Sequence, residues 1–373
     1  MKKAGRWRSL ALISLALAGL AAGFLWLRYN NAGEPIAPKM DLPGYGAGRV
    51  ISIEFFPDGK TLLSAYEDNS VYLWDVDSGY LLQTKSFPRI VRGGASVSND
   101  GRTIAVNGFA ELRLWNVSTG DIHISKVVER ALVSIYFSPD SRTIASVVRT
   151  EPGSSSRIEY SIYIWDVETG ALIHTLDTPN QRWERRVLYS PDSKKIVSAG
   201  GNTAKVWDVK TGALLHTFHG IERYNTIALS PDRSHTAGVL AAVCDGPSTK
   251  AWDPNTIKVW DLETGALLHT HGSPWSFKYS PDGKKIASVN YNVFNIRDTA
   301  ANIWDMKTGA LLHTSEVASL SHPYILDYFP DGKSILINPS GGSGEVWDVE
   351  TGARLQRFRG GSLSRSYSRA GKS

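Results

Sequence analysis

Three features of the 373-residue sequence predict an all-β fold: seven Trp-Asp or Trp-Asn pairs, a turn built on an aligned Asp ahead of each pair, and a Gly-containing turn behind it. The pairs start at Trp74, Trp115, Trp165, Trp207, Trp260, Trp304 and Trp347, with gaps of 41, 50, 42, 53, 44 and 43 residues. A four-stranded antiparallel blade takes about 40 to 50 residues, so the expectation is a seven-bladed β-propeller. Ahead of it lies one uncharged apolar run, expected to be a single N-terminal transmembrane helix.

Residues 1–8 carry Lys2, Lys3, Arg6 and Arg8 and no acid, and read as a cytoplasmic leader. Residues 9–27, SLALISLALAGLAAGFLWL, have no charge. As a helix they reach about 28 Å, close to the hydrocarbon thickness of a bilayer. Trp26 and Tyr29 stand where an interfacial aromatic belt would be. The reading is a signal anchor. Small residues from Ala16 to Ala22 also offer cleavage points, and a secreted or periplasmic protein after signal cleavage is the alternative. Because the positive charges precede the span, the N-terminus is expected in the cytoplasm and the propeller outside it. Residues 28–48, with Pro35, Pro38 and Pro43, read as a linker.

Residues 49–358 carry the repeat, and each of its signals has a local cause. In FPDG (56–59), SPDS (138–141) or SPDG (280–283), Pro presets φ and Asp caps its own backbone, so one strand ends and doubles back. In DVETG (166–170) and its counterparts, Gly takes positive φ at no steric cost. Runs such as VISIEF and LVSIYF are rich in β-branched and aromatic residues with a period near two. Trp252-Asp253 is an eighth pair without the surrounding pattern.

The repeat resembles the WD40-repeat (WD-repeat) family over residues 49–358. The resemblance implies a seven-bladed WD40-type β-propeller that docks other proteins and has no catalysis of its own. It also implies a network between the Trp and an Asp six residues earlier. Asp68 and Asp298 stand there for Trp74 and Trp304, while the other five units carry Phe109, Glu159, Gly201, Pro254 and Gly341. The family's Gly-His dipeptide is missing. ARLQRF (353–358) after Trp347 suggests that the last blade is closed by its own strand, with strand addition by residues 42–48 as the alternative.

Charge excludes some functions. The net +5 sits at the two ends, including a basic tail at 359–373 expected to be disordered and solvated. Between them the chain is acidic, so no nucleic-acid groove is expected. Cys244 is the only cysteine, which rules out internal disulfides and Cys-based metal sites. His174, His216, His269 and His313 share one repeat position, which implies a blade-building role. No linear catalytic motif is present, and neither metal nor cofactor is expected. The turns DVETG and DLETG (261–265) are similar to those of quinoprotein dehydrogenases, but His174, Gln356 and His269 stand where that family has its docking Trp. An extracytoplasmic enzyme with its site at the channel mouth is the runner-up function.

The leading function is a monomeric, membrane-held interaction scaffold with a protein partner. The turn Asp and the Trp are 15 or 16 residues apart in units one, two, four and seven, but 25, 28 and 22 apart in units three, five and six. The three lengthened hairpins and nearby links bring Arg149, Arg157, Trp183, Arg185, Arg186, Tyr224, Trp252, Tyr291 and Phe294. Aromatic and Arg side chains are favoured at binding hot spots, so these residues form the expected partner surface. Tolerated surface loops are the alternative.

Overall fold

The computed structural model describes residues 49–358 apart from 89, 109–110, 127–130, 151–158, 179–185, 201, 222–226, 232–238, 245–255, 273–275, 291–299, 317–323 and 339–343, together with 28–29 and 35–36. It contains seven four-stranded antiparallel sheets, consistent with the expected seven-bladed propeller. Each is a simple meander of contiguous sequence. The seventh ends on its own strand, Arg354–Phe358, paired with Gly344–Asp348. Within the expected linker, Arg28–Tyr29 pairs with Pro35–Ile36. No helix among the described residues is long and apolar enough to cross a membrane, and residues 9–27 lie outside them.

The chain divides into two compact units. The unit Gly19–His219 holds sheet one (from Val50 to Ser86), two (Ile90 to Lys126), three (Ala131 to Thr178) and four (Arg186 to His219). The unit containing Gly220–Ser373 holds sheet five (Ile227 to His271), six (Ser276 to Glu316) and seven (Tyr324 to Phe358). Second and third strands form the core because near-continuous runs of apolar and small residues, such as TLLSAY and KIVSAG, let them be buried on both faces. Leu63, Ala65, Val71 and Trp115 pack together between sheets one and two. Ala287, Ile303, Ile335 and Trp347 do so between sheets six and seven.

The repeat Trp is the last residue but one of each third strand, and six of the seven are buried, Trp304 being half-buried. In sheets one, three, four and six its indole N–H donates to a buried Ser of the second strand. The pairs are Trp74–Ser64 (2.8 Å), Trp165–Ser146 (2.8 Å), Trp207–Ser198 (3.1 Å) and Trp304–Ser288 (2.9 Å). Sheets two and seven have Val106 and Ile337 there, and the indole nitrogens of Trp115 and Trp347 are buried without a partner. Asp68, expected beside Trp74, instead caps its hairpin, accepting from the Ser70 N–H at 2.8 Å and the Tyr72 hydroxyl at 3.4 Å. Tyr72 in turn stacks on Trp74. Asp298 lies outside the described residues.

The Asp after each Trp, Asn116 in sheet two, has a different task. Asp166 accepts the Thr169 N–H and hydroxyl, both at 2.7 Å, which fixes the turn that Gly170 closes at φ 69°. These bonds hold the Asp166 carboxyl below the usual range. In all sheets but the second, the register slips at or beside the Trp. One extra residue of the fourth strand is accommodated there, such as Leu82, Ile173, Leu215, Leu268 or Leu312. That bulge is why the paired leucines after each turn stay exposed.

Candidate functional site

In a four-stranded meander the turn after the first strand and the turn after the third lie at the same end of the sheet. Neighbouring sheets are tied together at this end. The Asp100 N–H donates to the Ser141 hydroxyl (3.1 Å), and the Asp140 N–H to the Ser193 hydroxyl (3.0 Å). Ser141 and Ser193 adopt φ of 62° and 64°, a region that disfavours residues other than glycine. The inter-sheet bond compensates for that strain. A second row of ties runs from the fourth strands of sheets one, two, three, five and six to the next sheet's Gly turn. Lys85 donates to the Gly120 carbonyl at 3.3 Å, Ser125 to that of Gly170, and Ser315 to that of Gly352 at 2.5 Å. The Nε2 atoms of His174 and His269 lie 2.8 Å from the Lys210 carbonyl and 3.0 Å from the Met306 carbonyl. The turns must be glycine for these histidines to fit. A Cβ on Gly309 would come within 2.5 Å of His269 Nδ1.

Sheets six and seven lack the first kind of tie. Gly332 stands where sheets three and four have Ser141 and Ser193, and among the described residues no hydrogen bond joins the two Pro-Asp turns. A cleft of about 640 Å³ opens there, floored by Pro281, Pro330 and Val349 and rimmed by Asp282, Asp331, Asp348, Glu350, Lys285 and Lys333. Three of its carboxylates are fixed by the turns. Asp282 Oδ1 accepts from Ser280 (2.6 Å) and the Lys284 N–H (3.1 Å), Asp331 Oδ1 from the Lys333 N–H (2.9 Å), and Asp348 Oδ1 from Thr351 (2.7 and 2.8 Å). Lys285 and Glu350 face each other across it at 3.9 Å. Burial pushes the Asp282 carboxyl up, but Ser280, the Lys284 N–H and the charges of Lys284 and Lys285 outweigh it and hold it below the usual range. The hydrogen bonds of Thr351 do the same for Asp348. The cleft thus presents fixed negative charge beside apolar walls, an arrangement that binds cationic side chains. It has no nucleophile with a neighbouring base. Among the described residues no group of three or more His, Cys, Asp or Glu is placed to hold a metal.

Of the nine residues expected to meet a partner, Arg157, Trp183, Arg185, Tyr224, Trp252, Tyr291 and Phe294 lie outside the described residues. Arg149 is half-buried and sits opposite Tyr160 in sheet three, and Arg186 is exposed opposite Ala199 in sheet four. The long hairpin of sheet three is partly ladder: Thr150 pairs with Glu159 and Arg149 with Tyr160, so its second and third strands reach eight residues each. The sequence reading missed the cleft. No residue type marks it, because Gly stands at the position of Gly332 in four of the seven units, Gly59, Gly101 and Gly283 being the others.

Residues 37–75 and 171–208 match the family profile described as WD domain, G-beta repeat. Nuclear distribution protein PAC1 of Arthroderma benhamiae is 26% identical over 287 residues, covering 69% of this chain and 60% of that protein. The chain thus spans about 60% of the length of that relative. WD repeat-containing protein SL1-17 of Schistosoma mansoni is 30% identical over 154 residues, or 39% of this chain and 47% of its own length. Among solved structures, dihydro-heme d1 dehydrogenase NirN in complex with DHE superposes with a TM-score of 0.60 at 15% identity, over 88% of this chain and 68% of that one. At that identity the likeness concerns the fold alone.

Proposed function

We propose that this chain, a WD40-repeat protein, is a non-enzymatic scaffold that recruits a protein partner outside the cytoplasm while one N-terminal helix holds it in the membrane. The observation that carries the recruiting role is the division of the repeat into explained and unexplained parts. Ties and caps of the fold account for the Pro-Asp and Gly turns. No tie or cap among the described residues involves the extra length of the hairpins of sheets five and six, or most of that of sheet three, which lies outside them. Their Trp, Tyr, Phe and Arg residues are of the types that dominate binding energies. Residues 9–27 support the membrane anchor by length and lack of charge, and Lys2, Lys3, Arg6 and Arg8 support its orientation. The propeller acts as a monomer.

Topology is tested with alkaline phosphatase fused after residue 373 in a bacterial host. The reading expects an active fusion that alkaline extraction leaves in the membrane fraction. An inactive fusion reverses the orientation, and release by alkali indicates a cleaved signal.

A further inference from the structure

We propose that the cleft between sheets six and seven is a docking site for the chain's own basic carboxyl-terminal segment, residues 359–373. The cleft lies between two Pro-Asp turns that no hydrogen bond joins among the described residues, Gly332 offering no hydroxyl where Ser141 and Ser193 offer one. Four carboxylates rim it against Lys285 and Lys333, with Lys284 just outside. The turns engage only one oxygen each of Asp282, Asp331 and Asp348, leaving the second of each without a hydrogen bond among the described residues. Such rigid acceptors beside Pro281, Pro330 and Val349 suit a guanidinium or ammonium group on an apolar stem.

The segment 359–373 has the matching chemistry. It carries Arg359, Arg365, Arg369 and Lys372 and no acid. It also starts within reach. The fourth strand of sheet seven begins just after the turn Asp348–Gly352 at the cleft and runs five residues away from it to Phe358. That is about 17 Å at strand rise, while seven further residues, enough to bring Arg365 back, span up to about 23 Å and the whole segment about 50 Å. Attachment makes docking intramolecular, so weak charge contacts act at a millimolar effective concentration set by the tether, of order 1 mM. The site goes beyond the proposed scaffold function and does not depend on it. A segment with cationic side chains from a partner would compete for the same carboxylates.

Zero-length carbodiimide coupling of the intact chain in detergent, followed by peptide mapping, tests this directly, because Lys372 is the only amine in the segment. The expected product is an amide between Lys372 and Asp282, Asp331, Asp348 or Glu350 of the same chain. Its yield should fall about fivefold or more between low salt and 0.5 M salt, where the screening length drops to a few ångströms. It should fall similarly in the chain with Arg365→Gln and Arg369→Gln, which leaves every sheet untouched. Coupling of Lys372 mainly to carboxylates elsewhere, coupling only between chains, or no coupling would each overturn the proposal.

Discussion

His271 ends the fourth strand of sheet five at a position where sheet four carries Phe218. It is 3% exposed, its ring lies 4.5 Å from that of Trp304, and its Nε2 is buried with no partner. Burial, with a smaller push from His269 at 5.9 Å, takes its pKa from 6.5 down to about 4. The unfolded chain therefore binds a proton between these values that the folded chain does not. The stability His271 confers is complete above pH 6.5 and is lost as pH falls towards 4. At 1.36 kcal/mol per pH unit the loss reaches about 2.5 kcal/mol at pH 4.5 and about 3.4 kcal/mol at the lower limit. His271→Phe removes this dependence and places on Trp304 the ring type that Phe87 places on Trp115. Urea unfolding followed by circular dichroism at pH 7.5 and 4.5 gives four stabilities. The wild type should lose about 2.5 kcal/mol more than His271→Phe between the two, with carboxylate effects cancelling in the comparison. Equal losses would show that His271 is charged or solvated in the folded state and refute the reasoning.

Ser146→Ala leaves the Trp165 indole N–H buried without an acceptor and should cost about 1–3 kcal/mol by chemical denaturation, whereas Val106→Thr gives the Trp115 indole N–H an acceptor that offsets burial of the hydroxyl and should cost less than about 1 kcal/mol. Gly309→Ala combines φ of 73° with a Cβ 2.5 Å from His269 and should lower stability by on the order of 3 kcal/mol, part of which His269→Ala should restore in a double-mutant cycle. Ser141→Gly trades relief of left-handed strain against loss of the bond from Asp100, so the denaturation midpoint should move by less than about 1 kcal/mol, while hydrogen exchange at the Asp100 amide should speed up.

The fold was legible because its signals are local and repeated. Pro-Asp and Thr-Gly turns end strands through their own side chains, and an aromatic at a fixed place in each third strand is buried in six sheets of seven. Of the four equivalent histidines expected to be structural, His174 and His269 tie neighbouring sheets, and their targets were not legible. A link such as His174 to the Lys210 carbonyl spans 36 residues and leaves no mark except a glycine two residues further on, at Gly212. Asp68 shows the limit of reasoning from resemblance: its spacing to Trp74 was right, but Ser64 takes the indole and Asp68 turns to its own hairpin. The cleft was illegible because its lining comes from two neighbouring Pro-Asp turns and the Asp348–Glu350 turn, and those turn residues recur in the other units.

The claim that the lengthened hairpins recruit a partner is tested most directly by quantitative capture from detergent-solubilised membranes. The intact tagged chain is compared with one in which Trp183 and Trp252 are changed to Ala, and with one carrying Asp331→Asn and Glu350→Gln in the cleft. The account predicts a partner retained by the intact and cleft-variant chains and lost by the hairpin variant, a drop of about 30-fold in affinity for a loss of about 2 kcal/mol. Thermal unfolding of the three chains should stay alike. Recovery of the same partner at undiminished yield by the folded hairpin variant, with loss in the cleft variant, would contradict it and move the interaction surface to the turn end of the sheets.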